Sequence, residues 1–330
     1  MNRVKAFVME SGELKLKEME EPKAKPREVV VSLKAAGVNR RDLGLIKRYG
    51  DNPEALIIGS DGAGVVESVG VDVIDFATGD AVIINPALRW YGNSEAPPPE
   101  FDILGMPDHG TFTEKIVLPA DQLEKKPRYL DWEEAGCLAL PALTGYRALF
   151  TKGQLKKGDT LFIPGAGSGV ATFLIQFAKN VGARVIVTSR SEEKRQHAKD
   201  IGADLAIPTD SDWLKELAGE TIDLVIDSVG GATFNRSLDV LKKGGRIVIF
   251  GATTEDNVDF NLRKFFYGQY QLFGSTMGSR EELRAMLAHM EAHKMRPVID
   301  KKFPLDQAQE AFDYLASGNQ FGKVVLSISQ

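Results

Sequence analysis

Hydrophobic and polar positions alternate along the first third of the chain. Up to about residue 120, short runs such as VKAFVM, REVVVSLKA and TFTEKIVL alternate apolar and polar residues, and Gly, Pro and Asp separate them. A period of two residues broken in this way is typical of half-buried antiparallel strands. We therefore predict that this part of the chain is mostly β.

From about residue 159 the pattern changes to a buried strand, a turn and an amphipathic helix. The apolar runs are DTLFIP, ARVIVTS, DLAI, IDLVIDSVG and RIVIFG, and the helical patterns SGVATFLIQFAKNVG, SEEKRQHAKDIG, SDWLKELAG and GATFNRSLDVLKKGG lie between them. Parallel strands need crossover helices, so the alternation predicts a doubly wound parallel sheet of an α/β domain. Nucleotide binding is the leading function of such a sheet.

The segment DWEEAGCLALPALTGYRALF, which joins the two patterns, is predicted to be helical. Asp131 is placed to cap it, and Glu134, three residues later, completes a capping box. Beyond about residue 265, the helical patterns SREELRAMLAHMEAHK and PLDQAQEAFDYLASG alternate with the strand-like RPVID and KVVLSIS. We expect this tail to fold back onto the first domain.

Composition favours two domains and a small-molecule partner. A chain of 330 residues with 43% hydrophobic content is long enough for two domains with cores of their own. The formal net charge is −5, and basic residues are interspersed with acidic ones, so no basic field for nucleic acid is indicated.

The cysteine count and the N-terminal pattern predict a cytoplasmic protein. Cys137 is the single cysteine, which excludes an intramolecular disulfide and favours a reducing compartment. Charges interrupt the apolar positions of MNRVKAFVME, and no run approaches the roughly 18 apolar residues of a membrane span. We expect no membrane partner.

The stretch GAGSGVA, residues 165–171, lies between the first strand and the first helix of the α/β pattern. A dinucleotide turn needs small residues for a tight turn, for close approach to the pyrophosphate and for helix packing. Ala166, Ser168 and Ala171 hold these three positions in the register that we prefer. A purely structural turn is the alternative, but the position in the fold favours pyrophosphate binding by Ala166, Gly167, Ser168, Gly169 and Val170.

The end of the next strand indicates which nicotinamide cofactor binds. An acidic residue there would bind the ribose 2′-hydroxyl, but this sequence has Ser189 and Arg190, with Lys194 one helical turn later. Arginine suits a phosphate dianion, so we predict NADPH. The alternative is that Arg190 is a solvated arginine at a helix start.

Several further segments together resemble the medium-chain dehydrogenase/reductase superfamily from end to end. They are AAGVNRRD, GSDGAGVVESVG, VDVIDFATGDAV, PALTGYRAL, IDSVGG, FGATT and GKVVL. The resemblance implies a GroES-like, mostly β catalytic domain at 1–121, completed by 266–330, and a Rossmann dinucleotide-binding domain at 122–265. It also implies an active site in the cleft between the domains and a homodimer that continues the Rossmann sheet across two subunits.

The sequence departs from the zinc alcohol dehydrogenases of this superfamily at their metal ligands. Asn39, Ser60 and Leu140 stand where those enzymes have a cysteine, a histidine and a third ligand, and Cys137 is out of register. This set offers at most Asp61, whereas catalytic zinc needs three protein ligands. Residues 85–110, where the structural-zinc lobe would lie, contain no cysteine. We predict no metal site.

The chain is therefore most similar to the zinc-lacking quinone oxidoreductase-like branch. Quinones and α,β-unsaturated carbonyls accept hydride without a metal because the charge delocalises into a phenolate or an enolate. We predict an NADPH-dependent reductase of such acceptors. The alternatives are a non-catalytic NADPH-binding or sensing protein and an alcohol or aldehyde dehydrogenase.

Residue roles follow from the same resemblance. Asn39 is expected near the nicotinamide and the substrate carbonyl, with Asp42 as its structural partner. Tyr49 is a candidate proton donor, although structural packing is the alternative for it. The residues expected to contact the cofactor beyond the glycine turn are Thr144, Ser228, Gly251, Ala252 and Lys323.

Overall fold

The computed structural model describes residues 2–329, which form two compact units. One unit contains the residues up to Leu143 and those from Gly278 onward, and the other unit is Thr144–Met277. The packing thus divides the chain later than the domain boundaries at residues 121 and 265 that the resemblance implies. No helix within residues 2–329 has the length and apolarity to cross a bilayer.

The elements are numbered in chain order. The strands are β1 Arg3–Glu10, β2 Glu13–Glu20, β3 Glu28–Val38, β4 Leu56–Ile57, β5 Ala63–Val69, β6 Ala81–Ile84, β7 Ala87–Leu88, β8 Asp102–Ile103, β9 Lys115–Pro119, β10 Leu123–Lys125, β11 Thr160–Ile163, β12 Arg184–Ser189, β13 Leu205–Pro208, β14 Ile222–Asp227, β15 Leu241–Ile249, β16 Gln271–Gly274, β17 Ile299–Pro304 and β18 Lys323–Ser327. The helices are α1 Arg40–Tyr49, α2 Trp132–Gly136, α3 Ala139–Tyr146, α4 Gly169–Asn180, α5 Glu192–Asp200, α6 Trp213–Glu216, α7 Gly231–Val240, α8 Leu262–Gly268, α9 Arg280–His293 and α10 Ala308–Ser317.

The first unit is built on a seven-stranded sheet. Its strand order is β10-β6-β5-β3-β18-β17, with β9 also paired to β3, and every pair except β17–β18 is antiparallel. Alternate residues of β3, such as Val29, Val31 and Leu33, lie fully buried in an apolar core. The predicted antiparallel strands are confirmed. The expected return of the tail is also confirmed, because β18 pairs with β3.

The second unit is a six-stranded parallel sheet with the order β13-β12-β11-β14-β15-β16. All four residues of β11 are buried, as expected for a strand in the middle of a parallel sheet. The predicted doubly wound sheet is confirmed. The order reverses between β11 and β14, which is where such sheets bind ligands beyond their carboxyl ends.

Three predicted elements differ in extent from the structure. The segment between the patterns is two helices, α2 and α3, followed by a π turn at Arg147–Lys152, and its predicted capping box is confirmed: the Glu134 N–H donates to Asp131 Oδ1 at 2.7 Å. The helix predicted over SDWLKELAG is only the single turn α6. The strand predicted over RPVID begins at Ile299, because Pro297 has no N–H to donate to a neighbouring strand.

Candidate functional site

Asn39 lies at the junction between strand β3 and helix α1. Its backbone N–H donates to Asp42 Oδ2 at 2.8 Å, so the Asp42 carboxylate holds the first turn of the helix. Just before it, Gly37 lies against the chain at Cys137, where an added Cβ would be 2.7 Å from the Cys137 Cα. The absence of a side chain at Gly37 thus lets the two segments approach closely.

The side chain of Asn39 belongs to a buried polar network in the first unit. Its Nδ2 donates to Asp61 Oδ2 at 2.9 Å, and its Oδ1 accepts from Lys323 Nζ at 2.6 Å. Lys323 also donates to the Val38 carbonyl at 3.0 Å and lies 3.6 Å from Asp61 Oδ2. The other Asp61 oxygen accepts from the Leu140 N–H at 2.6 Å. We call Asn39, Asp61 and Lys323 the buried triad.

Burial dominates the electrostatics of the two carboxylates here. It raises the pKa of Asp61, and the Lys323 ammonium opposes that shift. Burial also raises the pKa of Asp42 to about 6, and Asp42 Oδ1 has no hydrogen-bond partner in the described chain; the Arg41 guanidinium, 3.7 Å away, opposes that shift. Both acids are therefore easier to protonate than exposed carboxyls.

The other positions that correspond to zinc ligands are also engaged within the protein. Ser60 Oγ donates to the Leu104 carbonyl at 2.7 Å and accepts from Arg41 Nη1 at 2.6 Å. Leu140 contributes only its backbone N–H, and burial raises the pKa of the Cys137 thiol. Among the described residues no three His, Cys, Asp or Glu side chains are grouped as metal ligands.

Sequence reasoning missed Arg41. In the stretch NRRD it looks like an exposed arginine at a helix start, and no spacing rule indicates that its guanidinium turns towards Ser60. The structure also places Tyr49 away from Asn39, at the far end of α1, about 15 Å along the helix by its rise per residue. The Tyr49 hydroxyl donates to the Glu54 carbonyl at 2.9 Å, and the ring packs on the apolar core.

In the second unit, the glycine turn leads from β11 into helix α4. Gly165 has φ +88°, and Ser168 caps the helix by accepting from the Ala171 N–H at 3.1 Å. The backbone N–H groups of residues 167–170 have no hydrogen-bond partner in the described part of the chain. Consecutive unpaired N–H groups at a helix N-terminus form an anion-binding concavity.

The end of β12 lies beside β11 and carries the residues predicted to select the cofactor. Ser189 is buried, its hydroxyl accepts from the Ser191 N–H at 3.2 Å, and Arg190 is exposed. The Ser191 hydroxyl caps α5 by accepting from the Lys194 N–H at 3.3 Å. Arg195, which the sequence did not single out, donates to the Ser189 carbonyl at 2.8 Å and so fixes this loop.

The loops after β14 and β15 meet at the same edge of the sheet. The Thr253 N–H donates to the Ser228 carbonyl at 3.3 Å, and Gly251 approaches Ser228 closely enough that an added Cβ would contact it at 3.4 Å. Ala252 is exposed in the same loop. Thr144, at the start of this unit, is buried with its hydroxyl 3.8 Å from the Met277 sulfur. Lys323 is the predicted cofactor residue that belongs to the other unit.

Comparisons with known proteins agree with this architecture. The family model described as "Alcohol dehydrogenase GroES-like domain" matches residues 25–128, and the one described as "Zinc-binding dehydrogenase" matches residues 169–292. A zinc-type alcohol dehydrogenase-like protein of Schizosaccharomyces pombe is 38% identical over 96% of this chain and 95% of its own length. A 2-methylene-furan-3-one reductase of Solanum lycopersicum is 31% identical over 92% of this chain and 73% of its own length.

A solved structure described as an NAD-dependent alcohol dehydrogenase superposes with a TM-score of 0.91. It is 36% identical and covers 98% of this chain and 100% of its own length. Both domains, their order and nearly the whole length are thus shared with these proteins. The chain belongs to the medium-chain dehydrogenase/reductase superfamily of oxidoreductases.

Proposed function

We propose that the protein is a metal-independent, NADPH-dependent oxidoreductase that transfers hydride to quinones or α,β-unsaturated carbonyls. The proposal is supported by the buried triad, in which Asn39, at a position related to a zinc ligand, is hydrogen-bonded to a lysine ammonium and a carboxylate that neutralise each other. The acceptor must therefore be one that needs no metal electrophile.

The residues at these positions do not fit a zinc ion, although the matching family model carries the word zinc. Both oxygens of Asp61 already accept hydrogen bonds, and Ser60 and Leu140 offer neither imidazole nor thiolate. The Lys323 ammonium, 3.6 Å from Asp61, would repel a divalent cation bound to that carboxylate. We therefore derive no step through a metal.

The second unit fits a nicotinamide dinucleotide. The unpaired N–H groups of residues 167–170 suit the pyrophosphate, and the exposed Arg190 with no carboxylate at the end of β12 suits a 2′-phosphate. When bound, the reduced nicotinamide supplies hydride. Ser228, Gly251 and Ala252 border the same edge of the sheet, and we propose that they line the cofactor.

The class of hydride acceptor follows from the absence of a metal electrophile in the proposed reaction. A simple ketone must hold a full negative charge on one oxygen, and without a metal that charge is poorly stabilised. A conjugated acceptor spreads the charge over an enolate or a phenolate, so positioning and a few donors suffice. The relative from Solanum lycopersicum is named as a reductase of such a conjugated ketone.

The test is consumption of NADPH with quinones, enones and simple ketones as acceptors. We expect turnover of the quinones or enones and none of the simple ketones. Oxidation of simple alcohols that depends on added zinc would instead indicate an alcohol dehydrogenase. Binding of NADPH without turnover of any acceptor would indicate a nucleotide-binding protein.

The cofactor preference has a test of its own. Arg190→Ala should weaken NADPH binding and leave NADH binding unchanged, because only NADPH carries the 2′-phosphate. Lys199→Ala, an exposed lysine on α5 further from the glycine turn, is the matched control. Equal affinity of the wild type for both cofactors, unchanged by Arg190→Ala, would exclude the preference.

We also propose a homodimer formed along β16. This strand is an edge of the parallel sheet, and the apolar side chains of Phe266, Tyr267 and Leu272 on or next to it are 53%, 67% and 43% exposed. An unpaired edge beside exposed apolar groups favours pairing with a second copy. Light scattering should give a dimer that Leu272→Lys dissociates, and a wild-type monomer would contradict the proposal.

A further inference from the structure

Arg41 is a half-buried cation beside the buried triad that has hydrogen-bonding capacity left over. Its side chain is 19% exposed, and its Nη1 donates to Ser60 Oγ at 2.6 Å and to the Leu104 carbonyl at 3.1 Å. A guanidinium has five N–H donors. The Nε and Nη2 groups have no hydrogen-bond partner among residues 2–329, so three of the five donors are unused.

The polar groups of the buried triad have no hydrogen-bond donor left for a substrate oxygen. The Asn39 amide donates to Asp61 Oδ2 and to the Gly37 carbonyl, and its oxygen accepts from Lys323. Lys323 is itself bonded to Val38 and Asn39 and paired with Asp61. The triad is therefore saturated internally, and a substrate oxygen would find no donor there.

The charge around Arg41 also leaves it available to an anion. The nearest carboxylate, Asp42, is 3.7 Å from Nη1, and its other oxygen is committed to the Asn39 N–H. The contacts that hold Nη1 are to a hydroxyl and a carbonyl, which are neutral. These contacts hold Nη1, while Nε and Nη2 have no partner in the described part of the chain; carboxylates and oxyanions bind such a pair of guanidinium donors.

We infer that Arg41 is the oxyanion donor of the active site and that it selects acceptors whose conjugated carbonyl oxygen becomes negatively charged. This inference rests on the proposed function. Hydride adds to the β-carbon of the acceptor, and the π electrons of the C=C bond form a new double bond between the α-carbon and the carbonyl carbon. The π electrons of the C=O bond move to the oxygen, which Arg41 stabilises as an enolate. A proton from water then adds to the α-carbon as the C=O bond re-forms, which leaves hydroxide, so the acceptor gains two electrons and two hydrogens while NADPH becomes NADP⁺.

The first test measures turnover of an enone by the Arg41→Gln variant. Removing one hydrogen-bond donor from an oxyanion hole lowers kcat by about 10²–10³-fold, and we expect a loss of at least this size with NADPH affinity unchanged. Added guanidine should restore part of the activity of Arg41→Gly. Arg48→Gln, an exposed arginine on the same helix, is the matched control and should keep full activity.

The second test needs no turnover. The NADP⁺-bound protein is titrated with 4-nitrophenol, a stable phenolate former, and with its neutral methyl ether, 4-nitroanisole. Wild type and Arg48→Gln should bind the phenolate more tightly than the ether and lower the apparent pKa of bound nitrophenol, whereas Arg41→Gln should do neither. Thermal unfolding shows whether each variant is folded.

The outcomes separate this inference from the function on which it rests. If the wild type reduces enones and Arg41→Gln does so equally, with the same phenolate binding, the role of Arg41 is wrong and the proposed function stands. If the wild type reduces no conjugated acceptor, the proposed function is wrong. Loss of activity in Arg41→Gly without guanidine rescue, together with unchanged phenolate binding, would show a purely structural arginine and overturn the inference.

Discussion

Replacing Lys323 with methionine removes the ammonium that is paired with the buried Asp61 carboxylate. The two groups are 3.6 Å apart, with side chains 3% and 0% exposed. Unit charges at this separation attract by about 4–5 kcal/mol at an effective dielectric constant of about 20. Removing one partner of a buried pair typically costs about 3–5 kcal/mol, and we expect Lys323→Met to lower the free energy of unfolding of its unit by that amount.

Urea unfolding followed by tryptophan fluorescence measures this effect. In a Trp213→Phe background the remaining tryptophans, Trp90 and Trp132, lie in the same unit as Lys323. Lys302→Met is the matched control, because Lys302 is half exposed and lies 3.7 Å from Glu133. Lys302→Met should lower the free energy of unfolding by less than about 1 kcal/mol, and a similarly small effect of Lys323→Met would show that the buried ion pair does not stabilise the unit.

Two further properties distinguish a lost charge pair from lost packing. Without the ammonium, the already raised pKa of Asp61 rises further. The loss of unfolding free energy caused by Lys323→Met should therefore be largest at high pH and should become smaller as the pH falls and Asp61 is protonated. The double variant Lys323→Met with Asp61→Leu should be more stable than Lys323→Met alone, because no unpaired charge is left. A deficit independent of pH would contradict this explanation.

The remaining predictions concern single groups. Because the pKa of Asp42 is raised to about 6, the stability that its protonated form contributes below about pH 4 is lost as the pH rises through about 6. Over this range the free energy of unfolding of Asp42→Asn, measured with urea, should increase by about 2–3 kcal/mol relative to wild type. Equal pH profiles of the two proteins would contradict this. Gly165→Ala, at φ +88°, should weaken NADPH binding in calorimetry, whereas Gly158→Ala, at φ +86° in a loop with open space, should not, and equal effects would contradict the role of the turn. Cys137, whose thiol is buried with a raised pKa, should react with a thiol reagent only after unfolding, and native labelling would contradict its burial.

Hydrophobic periodicity predicted the mostly β first part and the α/β second part, whereas the GroES-like domain was implied only by the resemblance. The strand and helix patterns after residue 159 predicted the doubly wound sheet, because each βα unit is local and its turn residues are adjacent in the sequence. The capping box of Asp131 and Glu134 was predicted for the same reason. Helix α1 was not predicted, because its short pattern RRDLGLIKRY follows the buried strand β3 directly, with no intervening loop that separates the two elements.

The candidate site was only partly predictable because its contacts are long-range. Asn39 and Lys323 are 284 residues apart in the sequence, and no spacing rule joins them; a resemblance suggested each separately, with Lys323 expected at the cofactor. The sequence indicated Asp61 only as the remaining possible metal ligand, whereas the structure pairs it with an ammonium. The direction of the Arg41 side chain is set by Ser60 and Leu104, which belong to distant segments.

Metal content and activity measured on one preparation show whether hydride transfer by this protein depends on zinc. Zinc per chain is determined in the purified protein, and NADPH-dependent reduction of an enone is measured before and after treatment with a chelator and after zinc is added back. We expect no stoichiometric zinc and the same turnover in all three states. Stoichiometric zinc whose removal abolishes turnover, and whose return restores it, would contradict the assignment of the chemistry to the residues around Asn39 and Arg41.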